Sequence, residues 1–415
     1  MLGLERLLPA RLGRPFRWLL GAAWLTNLGD GIAVAAGPLL VASLTTDPLP
    51  VALAALLRWA PPLLFGMHAG VLSDRLDRRR IVLVAHTLRV MVLGGLVAAL
   101  VTGAGTVPVV LAALALLATA EVFADNTTAT LAPMLVPRED LAVANARLGA
   151  GFITLNQLVG PSLGAVLFAA GRVWPLLAQL LLVVAGVLML LRMRLPAAAG
   201  RADASGAGIW RDMVEGFRWT AGHPAVRTLV LTILIINIAF GAAWSVLVLY
   251  ATQRLGLGAA GFGLLTTASA AGGLLGTVLY GRLTRHVSLG NILRAGLLIE
   301  TFTHLGLAVT TSPGVALAIM FVFGAHNFAW GTTSVTVRQR AVPSHLQGRV
   351  NSVNTVCMYG SLVVGSAIGG VLAGRFGVAA PFWAAFGGTA VFVALLWRQL
   401  SNVAHADSAA TADAM

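Results

Sequence analysis

Gly70–Arg80, which reads Gly-Val-Leu-Ser-Asp-Arg-Leu-Asp-Arg-Arg-Arg, is the stretch of sequence that decides the fold. It follows a long apolar run, so it marks the end of a membrane span. Gly70 is expected to let a neighbouring helix approach closely, and Asp74 can accept hydrogen bonds from arginine or from a helix N-terminus. The arginines anchor the loop on the cytoplasmic side. A positively charged topology anchor is the simpler interpretation of this loop, but the spacing of its Gly, Asp and Arg residues indicates more than charge alone.

The chain around this loop has the composition of a membrane protein. Of its 415 residues, 58% are hydrophobic and only 10% are charged, against about 45–50% and about 25% in soluble domains. At about 20 residues per span, the length leaves room for roughly 10 to 14 membrane helices. The composition therefore excludes an ordinary soluble domain.

The residue types that are missing exclude several kinds of chemistry. The chain has 28 arginines and no lysine, whereas a P-loop ATPase and Schiff-base catalysis both need lysine. The single cysteine, Cys357, excludes an intramolecular disulfide and a cysteine-based metal cage. A transporter built from this chain must therefore draw its energy from an ion gradient or from a partner.

Breaks in the hydropathy pattern predict an all-α integral membrane protein with twelve transmembrane helices in two six-helix halves. The Asp30-containing apolar run lacks a cleavage site, so it is read as a retained first span rather than a signal peptide. The predicted spans are about 17–44, 50–72, 80–102, 107–131, 147–171, 174–195, 225–250, 259–281, 290–311, 313–335, 349–373 and 378–398.

The domain organisation follows from these spans. Residues 1–195 are expected to form an N-terminal six-helix bundle and 225–398 a C-terminal one, with a disordered cytoplasmic tail at 399–415. The connection at 196–224 opens with a small-residue linker. It continues with a pattern that predicts either an amphipathic helix on the membrane surface or a solvated linker helix.

The arginines set the expected orientation. Most of the 28 arginines fall on one side if both termini are cytoplasmic, as the positive-inside rule requires. Arg172, Arg254 and Arg375 then lie in outer loops. The formal charge of +13 thus has a topological explanation and does not indicate nucleic-acid binding.

An internal repeat connects the two halves. Gly66 and Gly70 match Gly272 and Gly276 at a separation of 206 residues, and Gly164 matches Gly370 at the same separation. The segments that begin at Val136-Pro137 and Val342-Pro343 match as well. Because both halves start on the same side, this is a parallel repeat about an axis along the membrane normal.

Together these features resemble the major facilitator superfamily over roughly residues 17–398. The loop after the second span is similar to the signature that latches the two halves of such transporters in the outward-open state. The second-half counterpart, Gly276–His286, has no acid at the position that matches Asp74. By this resemblance, the residues of the conformational latch are Gly70, Asp74, Arg75, Asp77 and Arg78.

A second signature lies in the fifth span, at Gly151, Gly160, Pro161 and Gly164. It is similar to the antiporter signature of drug exporters in this superfamily, although Asn156 stands where the family often has Gly. A packing kink at Pro161 is the alternative interpretation. With Asn27–Asp30 and Val136–Leu141, the sequence resembles the branch that includes macrolide exporters and enterobactin-type siderophore exporters.

Ionisable side chains within membrane spans cost free energy to insert, so each requires a structural or functional explanation. Glu121 and Asp125 lie one helical turn apart, so they share a face and should not both ionise easily. We hypothesise that this pair and Asp30 bind protons and, alternately, a cationic group, with Arg58 neutralising one acid. A static buried ion pair is the alternative. The candidate proton-coupling and substrate residues are Asp30, Arg58, Glu121, Asp125, Glu300 and His326, with His304 one turn after Glu300.

Tryptophan and amide side chains within spans supply candidate contacts to substrate. The tryptophan rings can stack on a flat or cationic compound, but they can equally face lipid, and the amides can equally pair between helices. The candidate cavity residues are Trp24, Asn27, Trp59, Asn156, Asn237, Trp244 and Trp330.

The sequence therefore predicts a secondary transporter that exports hydrophobic or amphiphilic compounds in exchange for protons. Uptake of a metabolite and lipid transport by the same fold remain alternatives. A membrane enzyme is disfavoured, because no nucleophile, base or metal-ligand spacing is visible. We expect a monomer in the bacterial inner membrane, with small molecule, proton and lipid as partners, no nucleic acid, and no cofactor or metal.

Overall fold

The computed structural model describes residues 12–193, 209–397 and 399. Every regular element in these residues is helical, and none of them forms a β-strand. The first residues of the chain, the small-residue part of the predicted linker, 196–208, and the predicted tail apart from residue 399 lie outside the described residues.

Six long helices come from the first half of the sequence. The fifth is interrupted by a π-helical segment, Phe152–Val159, which ends next to Pro161. A proline cannot donate to the carbonyl one turn earlier, so the helix widens at this point. The π-helical segment thus lies next to Pro161, where the sequence analysis considers a packing kink. The six helices are α1 Gly13–Ala42, α2 Pro48–Arg75, α3 Arg78–Val101, α4 Val107–Leu135, α5 Arg138–Ala170 and α6 Trp174–Arg192.

The second half repeats this series after one linker helix, α7 Ile209–Gly222. Eleven helices of the described residues are long and apolar enough to cross a membrane. The apolar helix Ala380–Leu396, with 17 residues, occupies the twelfth predicted span. The predicted all-α membrane fold is thus confirmed. The helices are α8 Pro224–Trp244, α9 Ala259–His286, α10 Leu289–Val309, α11 Pro313–Ala341, α12 Gln347–Phe376 and α13 Ala380–Leu396.

Proline and capping residues explain where several helices begin. α4, α6, α8, α11 and α13 each carry a proline in their first turn, where its missing N–H and fixed φ suit a helix start. At the start of α3, the Asp77 carboxylate accepts a hydrogen bond from the Arg80 backbone N–H at 3.1 Å. At the start of α10, the Ser288 hydroxyl accepts one from the Asn291 N–H at 3.4 Å.

Contacts divide the chain into two compact units. The described residues of the first unit lie within 12–46, 60–193 and 258–263, and those of the second lie within 47–59, 209–257 and 264–399. Helix α2 therefore contributes its first part, 48–59, to the second unit and the rest to the first.

The same four helix pairs recur in the two units. In the first unit α1 packs on α5 and α6, and α3 packs on α4 and α6. In the second unit α8 packs on α12 and α13, and α10 packs on α11 and α13. The repeat read from the sequence therefore extends to the packing of the helices. One matched position does not keep its contact, because Gly164 packs on Ile32 of α1 whereas Gly370 packs on Ala52 of α2. Gly365 takes the contact on Ile238 of α8 instead.

The linker helix α7 packs on α12. A Cβ atom added at Gly216 would lie 2.7 Å from the Arg349 carbonyl oxygen, so the two backbones are close. An ion pair between Glu215 Oε1 and Arg349 Nη1, at 2.7 Å, joins the same helices. Val214 and Phe217 are exposed on the other face. This helix is thus amphipathic and docked on a spanning helix, an arrangement the sequence pattern did not specify.

Candidate functional site

A buried charged contact of the first unit joins α1 and α3. Arg89 Nη2 donates to Asp30 Oδ1, and the two side chains are only 1% and 5% exposed. Isolated charges are costly in such a place, so each requires the other. Arg89 Nε and Nη1 are also buried and make no hydrogen bond to any described residue. The guanidinium can therefore bind a further acceptor without leaving Asp30.

Two more acids belong to the same cluster. Arg89 interacts electrostatically with Asp30, Glu121 and Asp125, and Asp125 also interacts with Glu121. The four residues, which we call the acid cluster, hold three carboxyl groups and one guanidinium. Full ionisation would leave the cluster with an excess of negative charge in a poorly hydrated place, which is unfavourable. Bound protons or a cationic ligand can compensate this excess.

A cavity of about 380 Å³ opens beside the acid cluster. Its size falls within the range of small-molecule pockets, roughly 300–1,000 Å³. Its wall combines apolar side chains with a few polar ones, as such pockets do. The polar residues in the wall are Thr26, Asn27, His86, Asp125, Thr128 and Asn145, and the bulky apolar ones are Leu19, Leu148, Phe152 and Leu190.

Arg89 and His86 belong to this site although the sequence analysis does not select them. It assigns Arg58 to neutralise one acid, but Asp30 binds Arg89, and the Arg58 guanidinium lies 5.2 Å from the centre of the Trp59 ring. His86 lines the cavity. The mid-span arginine was the available signal, since insertion of such a charge costs about 2.5–3.5 kcal/mol.

The second unit contains a different polar cluster, which we call the histidine cluster. Glu300 Oε1 lies 3.2 Å from His304 Nε2, and Glu300 Oε2 lies 3.0 Å from His326 Nε2. One carboxyl group of α10 thus links two imidazoles, one from its own helix and one from α11. The sequence suggested the first of these contacts and not the second.

The candidate aromatic residues fall into separate environments. Trp24 packs on Gly151 and donates to the Arg147 carbonyl at 3.2 Å, so it lies at the interface of α1 and α5 rather than in the cavity wall. In the second unit, Trp244 stacks on Phe240 with ring centres 4.5 Å apart.

Two further tryptophans have contacts of their own. The Trp59 and Tyr359 rings are 6.2 Å apart. Trp330 packs on Gly296, and its buried Nε1 has no hydrogen-bond partner among the described residues.

The candidate amides mostly serve the helices that carry them. Asn27 Nδ2 donates to the Ala23 carbonyl at 2.7 Å while lining the cavity. Asn237 Nδ2 donates to the Ile233 carbonyl at 2.8 Å. Asn156 is buried where its backbone meets Gly31. Of the three, only Asn27 reaches the cavity.

The antiporter-like glycines hold α1 against α5. A Cβ atom at Gly160 would lie 2.5 Å from the Gly31 Cα. One at Gly164 would collide with the Ile32 carbonyl, and one at Gly151 with the Trp24 ring. With Pro161, buried beside them, these residues set the packing of α5 beside the acid cluster. The packing interpretation of this motif therefore has direct geometric support.

The predicted latch loop is partly described. Arg78 Nε donates to the Ser73 carbonyl at 3.0 Å, and its Nη1 lies 2.8 Å from Met134 Sδ of α4. Asp77 caps α3, and Arg75 is exposed at the end of α2. The Asp74 side chain lies outside the described residues. Whether these residues latch the protein remains a prediction.

One prediction about this loop is wrong. A Cβ atom at Gly70 would meet no atom within 4 Å, so Gly70 does not let a helix approach closely. Its repeat counterpart does, because a Cβ atom at Gly276 would lie 2.5 Å from the Ala325 carbonyl oxygen of α11.

Metal binding receives no support from the part of the chain that the structure describes. No group of three or more His, Cys, Asp or Glu side chains there is arranged to hold a metal ion.

Comparison with known proteins identifies the family. The family described as "Transmembrane secretion effector" matches residues 8–414. The chain belongs to this family of the major facilitator superfamily. Its members are transporters and not enzymes, so the predicted superfamily and the predicted absence of enzyme activity are confirmed.

Two curated relatives and one solved structure show how far the similarity extends. The multidrug efflux pump Tap of Mycolicibacterium fortuitum is 29% identical over 387 residues, which cover 89% of this chain and 92% of Tap. The enterobactin exporter EntS of Salmonella typhimurium is 27% identical over 373 residues, covering 87% and 85%. A bacterial homologue of the iron transporter ferroportin, solved in an inward-facing state, has a TM-score of 0.72 at 21% identity and covers 94% of this chain and 99% of its own. The ferroportin homologue shows the shared fold, and the two sequence relatives are an efflux pump and an exporter.

Proposed function

We propose that this transporter exports hydrophobic or amphiphilic small molecules in exchange for protons, by alternating access. The observation that carries the proposal is the acid cluster of Asp30, Arg89, Glu121 and Asp125 beside a cavity of about 380 Å³. The similarity to a multidrug efflux pump and to a siderophore exporter supports export as the direction.

The proposed exchange follows from charge. Asp30 and Arg89 neutralise one another, so Glu121 and Asp125 carry the excess negative charge. Asp125 lines the cavity, where a proton and a cationic group of a substrate would compete for its carboxylate. Binding of one favours release of the other, which is the requirement for antiport.

The cavity wall supports a substrate that is largely apolar with a few polar groups. Leu148 and Phe152 offer apolar surface, while Asn145 and His86 offer hydrogen bonds. The His86 Nδ1 atom is buried without a hydrogen-bond partner among the described residues. A polar group of the substrate would therefore satisfy an atom that is otherwise unpaired.

The proposal includes a location. The arginine distribution supports both termini in the cytoplasm, and the relatives are bacterial, which supports the inner membrane. The proton gradient is the proposed energy source, with no further cofactor and a monomer as the working form.

The test uses sealed vesicles that contain only the purified protein. An inside-acid gradient is imposed, and internal pH is followed after addition of permanently charged hydrophobic cations, macrolides and catecholate siderophores. Protein-free vesicles correct for passive entry of weak bases. We expect alkalinisation with at least one compound class, lost in Asp125→Asn and kept in Asp47→Asn, which makes the same chemical change at an exposed acid outside the cavity.

Other outcomes would overturn the proposal. Compound uptake without any pH change would indicate facilitated transport. No response to any compound, together with movement of labelled lipid between leaflets, would indicate lipid transport.

A further inference from the structure

The histidine cluster of the second unit is closed on itself. Glu300 and His304 are 3% and 0% exposed, and His326 is 7% exposed. Each carboxylate oxygen of Glu300 faces the Nε2 atom of one ring, at 3.2 and 3.0 Å. Glu300 is therefore shared between two bases that can each hold a proton.

The second pair of ring atoms in this cluster is the Nδ1 nitrogen of each imidazole ring, on the side away from Glu300. The Nδ1 atoms of His304 and His326 are buried, and no described residue forms a hydrogen bond with either. His304 Nε2 and Glu300 Oε1 are within ion-pair distance but form no hydrogen bond, whereas His326 Nε2 and Glu300 Oε2 do form one. In a neutral ring whose hydrogen is on Nε2, the Nδ1 atom is a basic lone pair with no donor. A proton taken from water and bound to one of these lone pairs turns that ring into an imidazolium, whose charge is paired with the Glu300 carboxylate.

Charge counting favours one such proton. With Glu300 ionised and both rings neutral, the cluster is an uncompensated buried anion. One added proton makes the cluster neutral, and a second gives it a net positive charge. Because burial penalises net charge, the neutral state is the favoured one. The second proton, or loss of the first, is the event that a change of surroundings can drive.

No other charged group of the neighbouring helices decides this balance. On α10 itself, Arg294 is held near Trp397, with its guanidinium 5.3 Å from the ring centre. At the C-terminal end of α10, Arg254 donates to the carbonyls of 308–310 and the Tyr250 hydroxyl donates to that of Leu307. Helix α13, Ala380–Leu396, contains no ionisable side chain. The remaining charged or titratable residues on packed helices lie toward helix ends: Arg227 on α8, Arg282, Arg285 and His286 on α9, and Arg338 and Arg340 on α11.

Aromatic rings surround the two imidazoles. His304 meets Trp244 edge to face, with ring centres 5.9 Å apart, and His326 meets Phe323 at 5.4 Å. Trp244 and Phe323 pack on each other at 4.6 Å. Aromatic rings tolerate a cation better than aliphatic side chains do, so these contacts support a protonated imidazole.

The position of the cluster matches that of the acid cluster. Glu300 and His326 lie on α10 and α11, the pair that corresponds to α3 and α4, which carry Arg89 and Glu121. Each unit thus places ionisable groups on its corresponding helix pair, with different residue types.

We propose that Glu300, His304 and His326 form a second proton-binding site, with the Nδ1 atoms of the two histidines as the acceptors. The site titrates as one unit, since the shared carboxylate stabilises the positive charge on either ring. This inference goes beyond the proposed exchange in the first unit and does not depend on the compound that is carried.

The experiment needs no substrate. The full chain, labelled with ¹³C and ¹⁵N at its 8 histidines, is placed in lipid nanodiscs, and the ring signals are followed by NMR between about pH 5 and 8. The variants His304→Gln and His326→Gln assign the two signals. We expect both rings to titrate together in the unmodified protein and removal of either ring to change the proton affinity of the other about tenfold. Glu300→Gln should make both rings bind protons more weakly.

A matched variant and a second measurement keep the result decisive. His345→Gln removes an exposed histidine of the same unit and should leave both signals unchanged. If a cluster variant does not fold, the pH-dependent quenching of Trp244 by the neighbouring imidazolium replaces it, measured as the difference between the unmodified protein and Trp244→Phe. Two rings that keep one charge state across the range, or that titrate independently of each other, would overturn the proposal. This outcome is separable from failure of the exchange assay, which requires a substrate and a pH gradient.

Discussion

Arg89 on α3 donates a hydrogen bond to the carboxylate of Asp30 on α1, and both side chains are almost completely buried. The contact joins two helices that are 59 residues apart in sequence at this point. This contact also anchors the acid cluster, because the Arg89 guanidinium interacts electrostatically with Glu121 and Asp125.

The two partners of this contact should not be equally important for stability. Arg89→Leu removes the cation on which three acids act, whereas Asp30→Asn leaves Arg89 with two acids that still act on it. We expect Arg89→Leu to lower the free energy of unfolding by about 3–5 kcal/mol, and Asp30→Asn by clearly less. Thermal unfolding in detergent measures both. Arg172→Leu, at an exposed arginine, serves as the control, with an expected effect within about 0.5 kcal/mol. An equal loss of stability in Arg89→Leu and Asp30→Asn would show that Glu121 and Asp125 do not help to hold Arg89.

The sequence revealed which side chains are unusual but not which of them meet. Asp30, Glu121 and Asp125 stand out because an acid within an apolar run has few explanations. The partner of Asp30 depends on how α3 packs in the bundle, and no local pattern encodes that. For the same reason the spacing of Glu300 and His304 was visible as one helical turn, whereas the contact with His326 crosses between helices. His86 and Asn145 are not among the sequence candidates, because no local pattern shows that the cavity reaches them.

The antiporter-like motif gives a sharp test of the contact between α1 and α5. In Gly160→Ala the new Cβ atom would lie 2.5 Å from the Gly31 Cα, so backbone must move. Overpacking of this kind costs about 1–3 kcal/mol. Gly149→Ala, on the same helix, adds a Cβ atom that meets nothing within 4 Å. We expect a lower melting temperature for Gly160→Ala and an unchanged one for Gly149→Ala. A stable Gly160→Ala would mean that α1 and α5 are not in this close contact.

Matching positions of the repeat should respond differently to one and the same substitution. Gly70 and Gly276 are equivalent in sequence, yet only Gly276 has a neighbouring backbone within reach of a Cβ atom. Gly276→Ala should therefore destabilise the protein by about 1–3 kcal/mol. Gly70→Ala should be neutral or slightly stabilising, since alanine has the higher helix propensity. Thermal unfolding of the two variants side by side checks this, and a larger loss in Gly70→Ala would contradict the open environment of Gly70.

The caps of α3 and α10 form the last comparison. Asp77 accepts a hydrogen bond from the Arg80 N–H at 3.1 Å, whereas Ser288 accepts one from the Asn291 N–H at 3.4 Å. The carboxylate is closer and carries a negative charge that favours a helix N-terminus. Asp77→Ala should cost about 0.5–2 kcal/mol of unfolding free energy, and Ser288→Ala should cost less. Asp77→Asn keeps the acceptor and should retain most of the stability. If Asp77→Asn loses as much as Asp77→Ala, the charge of Asp77 and not its capping bond holds this end of the loop, and the latch interpretation gains support over the purely structural one.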